Sequence, residues 1–85
     1  MDIFEIKDNN GNILKFEAVT KFNIRDSKYS YLIYRSLDKV EYYIAKYTGE
    51  NIAKLDTNLT DFELKVGNEI LETLLKHNKE SINEN

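Results

Sequence analysis

The sequence predicts an α+β fold: an antiparallel meander sheet of four or five strands, with one C-terminal helix packed on one face. Three observations predict it. Apolar and polar residues alternate through much of the first half, the period of a half-buried strand. Clusters of turn-forming residues interrupt that alternation. From Thr60 onward the apolar spacing lengthens to every third or fourth residue, the period of an amphipathic helix.

The first strand is expected over Asp2 to Lys7, with Ile3, Glu5 and Lys7 on one side and Phe4 and Ile6 on the other. Asp8-Asn9-Asn10-Gly11-Asn12 follows, a run that tolerates positive φ and closes a tight hairpin. The return strand covers Ile13 to Phe22. Strict alternation places Leu14, Phe16, Ala18 and Phe22 on one face and Lys15, Glu17 and Lys21 on the other. After a polar connection, Tyr29 to Ser36 is aromatic and β-branched, which suits a strand. Leu37-Asp38-Lys39 turns the chain, and Val40 to Thr48 returns as a second aromatic strand. Gly49-Glu50 offers a further turn, with Asn51 to Leu55 expected as a short fifth strand at the edge.

The helix announces its own start. Thr60-Asp61-Phe62-Glu63 is a capping box, in which the Thr60 hydroxyl accepts from the Glu63 amide and the Glu63 carboxylate reaches back to the Thr60 amide. Leu59 and Leu64 supply the hydrophobic staple across it. Phe62, Val66, Ile70 and Leu74 then form an apolar stripe, widened by Leu71 and Leu75. Gly67 interrupts this stripe at about 1 kcal/mol relative to alanine, a cost consistent with a close approach to the sheet. The expected core joins this stripe to Phe4, Ile6, Leu14, Phe16, Ile33 and Ile44.

Eighty-five residues, 41% hydrophobic and 32% charged, describe a single globular domain. A chain of this size buries roughly 60–65% of its unfolded surface, which leaves little for a second lobe or a deep enclosed pocket. The domain is expected over residues 1–77, with the polar stretch 78–85 fraying. Without cysteine there is neither a disulfide framework nor a thiolate metal site, which suits a reducing, cytoplasmic location. Residues 1–20 mix charges among the apolar positions, so they form neither a signal-peptide core nor a membrane span. Abundant Asn, Ile and Lys point to an AT-rich bacterial or phage genome.

Acids and bases balance over residues 1–59. The net charge of −3 therefore falls on the helix and tail, where only Lys65, Lys76 and Lys79 offset the acids. Duplex nucleic acid requires a net basic face, and none is visible.

Taken together, Asp8-Asn9-Asn10-Gly11-Asn12, the segment Ile13-Leu14-Lys15-Phe16-Glu17-Ala18-Val19, the strand Tyr29-Ser30-Tyr31-Leu32-Ile33-Tyr34 and the stretch Glu41-Tyr42-Tyr43-Ile44-Ala45-Lys46-Tyr47 before Asp61-Phe62-Glu63 resemble domain-of-unknown-function family 1292, the YrzB-like small bacterial proteins. The likeness runs from residue 2 to about residue 76. It brings no established activity. It implies a gene context, since some family members are encoded beside a nuclease of the Holliday-junction-resolvase kind.

The residues supply little for catalysis. His77 is the single histidine, it sits near the helix C-terminus, and no cysteine exists; a nucleophile–base triad and a His/Cys metal site are both excluded. Asp8 to Asn12 lacks the spaced acids and closing glutamate of a calcium loop and reads as a turn. Glu5 and Glu17 read as cross-strand partners of Lys7 and Lys15. Gly11, Gly49 and Gly67 do not open a helix, so no phosphate-cradling loop is formed. The expectation is a protein without enzyme activity, catalytic residues, metal, cofactor or small-molecule substrate.

The tyrosines carry more information. Tyr29, Tyr31, Tyr34, Tyr42, Tyr43 and Tyr47 lie on two neighbouring strands and fall on both faces. One helix covers only one face. Either the sheet curls and tucks the rings in, or the uncovered face is a contact patch for a protein partner or a second copy, as in a homodimer or an adaptor. A third reading makes the tyrosines stacking platforms for single-stranded nucleic acid, with Lys21, Arg25, Lys28 and Arg35 on the phosphates. The interspersed acids disfavour it. A membrane partner is not expected.

Overall fold

The computed structural model describes residues 2–39, 41–49 and 54–83. Its meander begins at the turn the sequence marks. Asp8 Oδ1 accepts from the amides of Asn10 (2.9 Å) and Asn12 (2.8 Å), while Gly11 donates to the Asp8 carbonyl and takes φ 83°, where glycine is favoured. This turn joins β1 (Ile3–Lys7) to β2 (Ile13–Asn23), with Phe4 opposite Phe16 and Ile6 opposite Leu14. The strands β3 (Ser30–Ser36) and β4 (Tyr42–Tyr47) follow, and α1 (Asp61–Asn83) closes the chain. The four strands pair antiparallel in chain order, so the fold is α+β with an open sheet.

The register of β2 breaks once. Ala18 opposes Tyr34 and Thr20 opposes Ile33, which leaves Val19 as an extra residue. Alternation therefore reverses beyond it. Phe22, expected beside Leu14 and Phe16, instead opposes Tyr31 on the other face, and the two rings stack at 5.1 Å.

The first face is packed from within the sheet. Phe16, Leu32, Tyr34, Ala45 and Tyr47 form its buried cluster, with Phe4, Ile6, Ala18, Tyr43 and Leu55 against it. Phe4 reaches across β2 to meet the Tyr34 ring at 5.6 Å, and Phe16 stands edge-on to Tyr34 at 5.3 Å. Large rings lying over the small Ala18 and Ala45 shield this face without a helix.

The second face receives α1 at β4. A Cβ placed on Gly67 would lie 2.8 Å from Ile44 Cδ1 and 3.0 Å from its Cγ2, so the helix sits closer than a side chain at that position permits. This approach turns Glu63 and Gly67 inward, and both are buried. Phe62, expected in the core, is consequently 61% exposed, whereas Val66, Ile70 and Leu74 are half-buried. Leu14, also expected in the core, stays 39% exposed at the end of the first hairpin.

The helix continues past His77 to Asn83. The expected fifth strand falls largely on residues 51–53, outside those described; beyond them Asp56 makes a single bridge to Lys46. Among the described residues no helix is long and apolar enough to cross a membrane.

Candidate functional site

The six tyrosines end in different places. Tyr31, Tyr34 and Tyr47 are buried at 1%, 4% and 7% exposure, against the chain's own residues. They cannot form a free surface, and the expected six-tyrosine patch narrows to the half-buried Tyr29, Tyr42 and Tyr43. Register alternation places the rings correctly on the two faces, but burial depends on ring-over-ring packing that alternation does not encode. The Tyr29 ring has the Lys46 ammonium 4.6 Å and the Lys28 ammonium 5.3 Å from its centroid. The Tyr43 hydroxyl donates to Glu41 Oε2 at 2.6 Å, which holds its proton on and raises its pKa.

The densest polar cluster lies beneath the start of α1. Glu63 is delivered there by the capping box: its amide donates to Thr60 Oγ1 (3.1 Å), and its Oε1 accepts from the Thr60 amide (2.8 Å). The same Oε1 accepts from Lys46 Nζ at 3.0 Å, and Oε2 accepts from the Tyr31 hydroxyl at 2.5 Å. With the Tyr31 proton so committed, the Ser27 hydroxyl donates to the Tyr31 oxygen at 2.8 Å.

Burial pushes the Glu63 carboxyl up, but the Thr60 amide, the Tyr31 hydroxyl and the Lys46 ammonium together outweigh it and hold the pKa at about 2. Tyr31 is raised, first by burial and then by its bond to Glu63; Lys46 is raised by its bond to the same carboxylate. A carboxylate with such a low pKa and both oxygens engaged is a poor base at neutral pH. The cluster fastens α1 to β3 and β4.

Capping logic identifies Thr60 and Glu63 in the sequence. Lys46 and Tyr31 escape it, because their part follows from the helix orientation set at Gly67. Glu17 likewise pairs with Arg35 (2.9 Å) on β3 and not with Lys15, which opposes Glu5.

Two clefts flank α1. One, of about 350 Å³, opens along the outer side of β4, where Tyr42 and Ile44 face Leu59, Leu64, Asn68 and Leu71. The other, of about 290 Å³, follows Val66, Ile70 and Leu74 along the opposite flank. Leu64 and Leu75 are 45% and 40% exposed. Apolar residues thus extend around the helix well beyond the narrow stripe that touches the sheet. No protein-family model matches the chain, and neither a curated protein nor a solved structure matches it significantly.

Proposed function

We propose that this chain is a small non-enzymatic protein-interaction module of the bacterial cytoplasm, acting as a homodimer or as an adaptor. Its working surface is α1 and the neighbouring face of β4, where Tyr42 remains accessible. One observation carries the proposal: apolar side chains occupy both flanks of a helix that offers the sheet only a narrow contact, leaving Phe62, Leu64 and Leu75 in solvent. Isolated exposed leucines are ordinary, but a run of them beside two clefts is the mark of a contact surface. The non-enzymatic part is supported by Glu63, the most chemistry-like group present, whose carboxylate is spent on structural bonds. The likeness to the YrzB-like family belongs to the same proposal and adds no activity to it.

The single-stranded nucleic-acid reading has weaker support. Tyr31, Tyr34 and Tyr47 are buried, and Arg35, one of the four bases that reading assigns to phosphates, is paired with Glu17. Analytical sedimentation over a concentration series checks the proposal, using the parent and a Phe62→Ser/Leu75→Ser variant. Association that the variant loses supports the homodimer form. A monomeric parent that takes up an extended peptide supports the adaptor form. A chain that stays monomeric and takes up no peptide overturns both.

A further inference from the structure

Strand β4 is an edge strand, and its outer hydrogen-bonding groups are only partly used. Lys46 exchanges both backbone bonds with Asp56, at 2.9 and 2.8 Å. Because backbone groups alternate along an antiparallel strand, the N–H and C=O of Tyr42 and Ile44 point outward on the same side as those of Lys46. The Glu41 carbonyl agrees with this phase, since it points inward to the Ser36 amide. Among the described residues the outward groups of Tyr42 and Ile44 meet no backbone partner. After Asp56 the chain makes no further backbone bond to β4 among the described residues, and there the 350 Å³ cleft lies, lined by Ile44, Leu59, Leu64 and Leu71 together with the polar Thr57, Asn58 and Asn68.

The two edges of the sheet differ. The edge strand β1 presents Glu5 and Lys7, charges that discourage pairing with another chain. Tyr42, Tyr43 and Ile44 present none. An open ladder beside a cleft with apolar pockets is the arrangement by which a sheet accepts an extended peptide as an added strand.

We propose that the outer edge of β4 binds an extended segment of a partner protein, which pairs with Tyr42 and Ile44 and inserts alternate apolar side chains between β4 and α1. This deepens the interaction-module reading and rests on it. Charge selects the kind of segment. Exposed acids stand near the cleft, Asp56 where the chain leaves β4 and Asp61 and Glu72 on the helix, with Lys65 beside the last two, whereas Glu41 is held by the Tyr43 hydroxyl on the other face. The chain also carries a net charge of −3. The occupant therefore alternates apolar residues with lysine or arginine. A second copy of the chain would bring its own acids to this rim and is the poorer fit.

The test uses isotope-labelled full chain and a capped hexapeptide alternating lysine and valine. Controls are its glutamate–valine counterpart and a version with proline at a central valine. The expected result is that the amides of Tyr42 and Ile44 shift on adding the lysine peptide and that their hydrogen exchange slows about tenfold or more, while Tyr43 and Ala45 are unchanged. Both controls bind weakly or not at all. Tyr42→Pro, at the first residue of β4 where proline spares the internal ladder, abolishes the effect. Asn68→Arg, on the exposed side of the cleft, weakens it without altering the exchange of β3. Equal binding of both charged peptides, shifts confined to Val66–Leu74, or protection of Ile44 arising from self-association overturns the inference. The last two outcomes leave the interaction-module proposal standing, which separates the two failures.

Discussion

Glu63 shows how far one residue can be read from sequence. Its place three positions after Thr60 marks it as half of a capping box, and the structure makes both bonds. The spacing is silent about Lys46 and Tyr31, which lie far off in the chain and meet the carboxylate only because the helix start lands over β3 and β4. Linkage turns this geometry into a pH dependence. The folded pKa of about 2 lies below the ordinary value of 4.5, so the contribution is fully present above about pH 4.5 and is lost as pH falls towards 2. Urea unfolding of the parent is expected to show stability falling across that window. Glu63→Gln is expected to be less stable at pH 7, because Lys46 loses its counter-charge, and to show a flatter acid limb. An unchanged acid limb would mean that other carboxylates set it.

At the scale of an element, α1 was legible in its existence, its start and its amphipathic period, but its rotation was not. Hydrophobic spacing weights Phe62, Val66, Ile70 and Leu74 equally and gives glycine no weight. Packing reverses that order: the missing side chain at Gly67 permits the closest approach, and Glu63, one turn earlier, is buried through its hydrogen bonds. Phe62 is displaced into solvent by the same rotation. The consequence is measurable. Gly67→Ala gains about 1 kcal/mol of helix propensity but sets a methyl 2.8 Å from Ile44 Cδ1. Overpacking of this kind costs typically 1–3 kcal/mol, so a net loss of about 1 kcal/mol is expected. Ile44→Val removes that terminal methyl. In the Ile44→Val background, where the Cγ2 contact at 3.0 Å remains, the glycine change is expected to cost less than in the parent, a non-additivity that a thermal-denaturation double-mutant cycle detects. If the two changes are additive, the close approach is not what positions the helix.

Across the whole molecule, strand order and most strand bounds followed from alternation and turns, whereas the way the two faces are covered did not. An expectation built on one helix and two apolar faces leaves a bare tyrosine face. The chain instead covers that face with its own rings, while the extra residue at Val19, which no glycine or proline signals, sends the Phe22 ring to the other face. Stability is therefore concentrated in the sheet. Tyr31, Leu32, Ile33 and Tyr34 of the inner strand β3 are all 4% exposed or less, while α1 leans on the sheet near Glu63 and Gly67 and carries exposed leucine further along. Native-state hydrogen exchange is expected to follow this division, with β3 amides opening only on global unfolding and those of α1 beyond Leu75 opening first. Leu32→Ala is expected to cost roughly 2–5 kcal/mol, and to speed exchange throughout the sheet. Leu75→Ala is expected to stay within about 0.5 kcal/mol and to leave β3 unaffected, as a surface change does. Equal protection of β3 and the far end of α1 would instead make the helix part of the cooperative core, and would remove the loosely held, solvent-facing leucines on which the contact surface depends.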